Sequence, residues 1–136
     1  MGWPEVEVGH WSGEFAKRAS GSIGQHVQPG PPPMSVEFTY LIVGAVVLTP
    51  RTKMRWPAVV SFWVRTPFTP ERVEAGCMFK SENMLSFNLG LEVTRRQLTE
   101  TVWLLREKLL NKFHFTVAQG RDKHWPITSW GATFEL

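Results

Sequence analysis

Apolar and polar residues alternate in several separate stretches of the chain, which is the pattern of β-strands with one buried face. The clearest stretch covers residues 84–93, where every second position from Leu85 to Val93 is apolar. Shorter patterns predict strands at 5–11, 113–118 and 127–136. The first of these strands is predicted to end in a turn at Ser12 and Gly13, because glycine and serine are common turn residues.

A longer pattern at 35–65 predicts a hairpin. The strand at 35–49 begins with alternating residues and continues as an apolar run from Leu41 to Leu48, which suits a strand covered on both faces. Pro50 is well placed for a tight turn. Residues 58–65 then form the returning strand, in which Val60, Phe62 and Val64 share a face.

The apolar spacing changes after Thr94. Thr94 and Gln97 have the spacing of a capping box, in which each side chain bonds a backbone N–H of the first helical turn. The following apolar positions recur at helical spacing and predict a long core-facing amphipathic helix at about 94–112; they are Leu98, Val102, Leu105 and Leu109, widened by Trp103 and Leu110. Leu104 falls on the polar side, so that Leu104 and Trp103 are candidate contacts for a partner.

These elements predict an α+β protein: a mostly antiparallel β-sheet, open or barrel-like, with one long helix. The 136 residues are expected to form a single domain. Residues 20–34 are predicted to be a Gly/Ser/Pro-rich loop, because consecutive prolines cannot donate to a strand ladder.

The composition of the chain indicates a cellular compartment. Cys77 is the only cysteine, so no intramolecular disulfide can form and a reducing compartment is favoured. The first 20 residues contain acidic side chains and no apolar signal region. The longest apolar run, from Tyr40 to Leu48, is too short to span a bilayer as a helix. We therefore expect a cytoplasmic protein that does not enter a membrane.

Catalytic and metal-binding signatures are absent from the sequence. The histidines, which are His10, His26, His114 and His124, match no zinc spacing. A Cys–His nucleophile would need Cys77 beside a histidine and an orienting carboxylate, and no catalytic motif surrounds Cys77. Phosphate-binding glycine loops are also missing. No metal, cofactor or catalytic residue is predicted, and a non-enzymatic role is favoured.

Two predicted turns contain both basic and aromatic residues. The whole chain is also basic, with a net charge of +3 and a pI of about 9.4. The first turn contains Arg51, Lys53, Arg55 and Trp56; the second contains Arg121, Lys123 and Trp125. Such turns could contact phosphates while a ring stacks on a base. The favoured interpretation is that they are solvated turns whose long side chains lie along the surface.

Three functional hypotheses follow. The first is a non-catalytic interaction module that binds an unknown protein or copies of itself, because seven tryptophans are difficult to bury in one small domain. The second is a nucleic-acid-binding domain that uses the 51–56 turn. The third is a small-ligand-binding or enzyme domain with a Trp-lined pocket and a polar group such as His10 or His114.

Overall fold

The chain is mostly β in the part that the computed structural model describes, which comprises residues 6–48, 55–64, 74–80 and 86–136. In chain order the elements are β1 (Gly9–Ser22), β2 (Gln25–Gln28), β3 (Met34–Glu37), β4 (Tyr40–Leu48), β5 (Arg55–Val64), β6 (Gly76–Lys80), β7 (Phe87–Val93), α1 (Arg95–Arg106), β8 (Leu110–Val117) and β9 (His124–Phe134). Seven strands close into a barrel in the order β1-β4-β5-β7-β6-β9-β8, which confirms the barrel-like prediction.

Most neighbouring strands of the barrel are antiparallel. The predicted hairpin is confirmed in part, because β4 pairs with β5 and Tyr40 lies opposite Trp63. The single strand predicted at 35–49 is wrong, because it is divided into β3, which pairs with β2, and β4. The returning strand starts at Arg55 rather than at residue 58, and the turn predicted at Pro50 lies outside the described residues. β5 and β7 run parallel, so the sheet is mixed.

Large rings fill the interior of the barrel. Trp11, Phe62, Phe87 and Phe115 are fully buried, and the rings of Trp11 and Phe115 stack with their centroids 6.0 Å apart. Aromatic side chains bury more apolar area than any others, so a few of them can fill a small core. The aromatic surplus in the sequence is thus in part a property of the core.

The turn predicted at Ser12 and Gly13 is wrong, because β1 continues through both residues. Gly13 faces inward beneath the ring of Phe113, and a Cβ at this position would lie 2.3 Å from Cζ of that ring. The glycine is required by this close approach and does not mark the end of a strand.

The long helix predicted at 94–112 is also wrong, because α1 has only 12 residues. It begins at the predicted capping box, in which the Gln97 backbone N–H donates to Thr94 Oγ1 over 3.1 Å. It ends because Lys108 adopts the left-handed conformation at φ 59°. The N–H of Leu109 then donates to the carbonyl of Leu104 over 3.0 Å, and this hydrogen bond closes the helix end.

The helix lies across one end of the barrel and buries a narrower strip than predicted. Leu98 and Thr101 are buried, whereas Val102 is 41% exposed and Trp103 is 55% exposed. Only one side of so short a helix can meet the end of the barrel. The apolar stripe assigned to the core is therefore divided between the core and the surface.

The segment 20–34 differs from the predicted loop. β1 runs to Ser22, and β2 and β3 pair in a two-stranded ribbon that continues the β1–β4 pair outward. The prolines are confined to 29–33 at the tip of this ribbon, where no ladder hydrogen bond is needed.

Candidate functional site

A groove lies between α1 and the rim of the barrel formed by β1 and β4. Its cavity volume is about 870 Å³, and it is open to solvent. From α1 it is lined by Leu98, Val102 and Trp103, and from the strands by residues 19–22 and Leu41. The side chains of Val102 and Trp103 are substantially exposed here and lie next to each other, so they form an apolar surface that a partner could cover.

The charged residues that line the groove are all cationic: Lys17, Arg95 and Arg106. Arg95 Nη2 lies 2.7 Å from Glu37 Oε1, and this ion pair links the start of α1 to the base of the ribbon. Thr39 Oγ1 donates to the other carboxylate oxygen of Glu37 over 2.7 Å. Within the described part of the chain, Lys17 and Arg106 form no ion pair, so their charges are available to an acidic ligand.

One edge of β1 has no described partner strand after residue 14. β1 pairs with β8 through residues 9–14 and with β4 from Ser12 to Ser22. From residue 15 onward the described strands pair with β1 on the β4 side alone. The irregularity that follows Phe15 sets residues 16–18 opposite Gly44, and residues 19–22 then pair regularly with β4.

The predicted interaction residues separate onto two sides of the helix. Trp103 lines the groove, whereas Leu104 is half-buried beside a second cavity of about 290 Å³ that Trp130 and Phe134 also line. Sequence reasoning missed Lys17 and the edge of β1. The adjacent apolar residues at 102–104 were the available signal, because three consecutive helical positions cannot all face one core.

The described members of the basic-aromatic set lie at the other end of the barrel. Strand directions place the starts of β5 and β9 together at that end, so Arg55 and the 121–125 turn share it. Arg55 Nη2 lies 2.6 Å from Glu14 Oε2. Arg121 and Lys123 are exposed, Trp56 and Trp125 are partly buried against the core, and Arg51 and Lys53 lie outside the described residues. Nucleic-acid binding by this set stays a prediction.

One histidine lies next to the cysteine. Cys77 Sγ is 2.7 Å from His124 Nδ1, and the ring of Phe79 stacks on His124 with centroids 5.5 Å apart. Burial raises the pKa of the Cys77 thiol, and the charge of Glu74 adds to the rise, while a backbone hydrogen bond from Trp125 acts in the opposite direction. The raised pKa opposes formation of the thiolate that a nucleophile requires.

The remaining histidines are on the surface. His10 Nδ1 lies 2.9 Å from Thr116 Oγ1, which also accepts a hydrogen bond from Ser129 over 3.0 Å. His26 lies on β2 and His114 on β8, apart from each other and from the groove. In the described ranges, no three histidine, cysteine or acidic side chains are grouped so that they could hold a metal ion.

Comparisons of the chain with protein-family models, with curated proteins and with solved structures found no match. None of the described residues forms a helix with the length and apolar character needed to span a bilayer.

Proposed function

We propose that the protein is a non-catalytic binding module that holds an acidic segment of a partner protein in the groove between α1 and β1. One observation carries this proposal: the groove combines exposed apolar side chains with charged residues of a single sign. A ligand that complements it must present apolar groups to Val102 and Trp103 and negative charge to Lys17 and Arg106.

Exposed apolar surface supplies the affinity in this proposal. Trp103 is 55% exposed and Ile23, which also lines the groove, is 81% exposed. Covering apolar surface stabilises a complex by about 25 cal/mol per Å². Tryptophan and arginine are the residue types most enriched where binding energy is concentrated, and the groove contains both.

The cations supply selectivity. Charges of one sign around a binding surface speed the approach of oppositely charged partners and disfavour partners of like charge. Because Lys17 and Arg106 line the groove and form no ion pair with the described residues, their field extends into the groove. Its range shortens as salt is added, so we expect binding to weaken with ionic strength.

A protein segment suits this groove better than a small molecule. Small-ligand pockets usually enclose most of the ligand surface, whereas this groove is open to solvent. His10 and His114, which the small-ligand hypothesis offers as polar groups, do not line it. Pairing of two identical grooves is disfavoured, because the charged residues that line each groove are all cationic and would repel one another.

The test is a selection of random displayed peptides against the protein, with counter-selection against Trp103→Ala. We expect enriched peptides that alternate aliphatic and acidic residues. Their affinity should fall when Lys17 and Arg106 are both changed to Glu. The matched control changes Arg121 and Lys123 to Glu, which alters net charge equally at the other end of the barrel and should leave affinity nearly unchanged.

Two results would contradict the proposal. The first is a selection that yields only peptides without acidic residues. The second is an equal loss of affinity in both charge-reversal variants, because a general effect of net charge would then explain binding without the groove.

The second candidate function is nucleic-acid binding at the opposite end of the barrel. It is supported by the common end at which Arg55 and the exposed Arg121 and Lys123 lie. The test is salt-dependent binding of labelled oligonucleotides to a variant with Arg51, Lys53 and Arg55 changed to Ala. Phosphate contacts predict weaker binding and a shallower salt dependence in this variant, and unchanged binding would refute the hypothesis.

A further inference from the structure

We infer that the partner segment binds in an extended conformation and adds to the edge of β1 as a further strand, an inference that rests on the proposed function. Strand addition uses the backbone N–H and C=O groups of an exposed sheet edge for affinity and alternate side-chain contacts for selectivity. The groove provides both, because backbone groups of β1 lie on one side and the side chains of Val102 and Trp103 lie on the other.

The backbone of β1 faces the groove directly. Residues 19, 20, 21 and 22 all line the groove. Among the described strands only β4 pairs with them, because β8 pairs with β1 no further than Glu14, so one edge of β1 is unpaired at this point. These residues are Ala, Ser, Gly and Ser, and they are all exposed, so no large side chain blocks the approach of another backbone.

The dimensions define the length of the segment. A helix rises about 1.5 Å per residue and a strand about 3.3 Å. The 12 residues of α1 therefore span about 18 Å, which corresponds to five or six residues of an extended peptide. In such a segment, one set of alternate side chains would contact Val102 and Trp103, and acidic residues would lie near Lys17 and Arg106.

The same edge is protected against copies of the chain. A bulge and charged side chains are common ways in which sheet edges avoid pairing with one another. β1 has both, because residues 16–18 form the irregular region and Lys17 and Arg18 carry like charges. These positive charges would repel a second β1 but would attract an acidic strand. The edge is therefore protected against copies of the chain and remains accessible to an acidic partner.

The experiment compares three forms of one selected acidic peptide: the unmodified peptide and two forms that are N-methylated at alternate backbone amides, one in each register. Only one set of alternate amides faces the paired strand. Residues 19–22 present two carbonyl groups on the edge that does not face β4, so we expect one methylated form to bind about 30-fold more weakly, which is the factor that two lost backbone hydrogen bonds of ordinary strength represent. The other form should bind like the unmodified peptide.

A second readout locates the pairing on the protein. We expect hydrogen exchange to slow in the complex at those backbone amides of residues 19–22 that do not face β4, because an added strand would protect amides at this edge. Equal affinity of both methylated forms would overturn strand addition while leaving the proposed function intact. Failure of every acidic peptide to bind would overturn the proposed function itself.

Discussion

Replacing Trp103 by alanine should separate binding from stability. A fully exposed tryptophan presents roughly 250 Å², so the exposed 55% corresponds to about 140 Å². Complete coverage of that area by a partner would contribute about 3.5 kcal/mol at 25 cal/mol per Å². Incomplete coverage and side-chain ordering reduce this value, and we expect a loss of about 2–3 kcal/mol, equivalent to a 30- to 150-fold weaker affinity.

The assay is fluorescence anisotropy of a labelled acidic peptide from the selection, with urea unfolding of each variant in parallel. Because Trp103 is more than half exposed, its loss should lower the free energy of unfolding by less than about 1 kcal/mol. Trp63→Ala is the matched control, since Trp63 is 40% exposed but does not line the groove. Equal losses of affinity in the two variants would refute the assignment of the groove.

Three further predictions concern the fold and the thiol. Lys108→Gly should raise the free energy of unfolding by about 1 kcal/mol, because glycine adopts the left-handed conformation without steric cost; urea unfolding measures this. Gly13→Ala should lower it by about 1–3 kcal/mol, because the new methyl group would overlap the ring of Phe113; an unchanged midpoint would contradict this packing. Alkylation of Cys77 should be slow at pH 7 and rise with pH, with an inflection above that of an ordinary thiol, because burial and Glu74 raise its pKa; a rate that levels off below pH 8 would contradict it.

Local features of the fold were predictable because they depend on neighbouring residues. Alternation identified the strand that ends at Val93, and the spacing of Thr94 and Gln97 identified the start of the helix. The end of the helix was missed because a lysine, Lys108, occupies the left-handed position where glycine is usual. Closure of the barrel and the parallel β5–β7 pair join segments far apart in the chain, and no local pattern encodes such pairings.

The candidate site was harder to predict than the fold. The groove joins residues from β1, β4 and α1, which are separated by many positions in the sequence. Helical spacing assigned Val102 to the core, but the helix contacts the end of the barrel along a narrower strip than that spacing implies. Lys17 has no notable sequence context, and its importance follows only from the edge on which it lies.

A charge-swap experiment tests the central claim most directly. We would measure the affinity of the acidic peptide, and of the same peptide with each acid changed to lysine, for the protein and for its Lys17→Glu, Arg106→Glu variant. Complementary charge in the groove predicts that the acidic peptide binds the unchanged protein better and that the lysine peptide binds the variant better. If the variant binds neither peptide while remaining folded, or if it keeps its preference for the acidic peptide, the groove does not recognise charge as proposed.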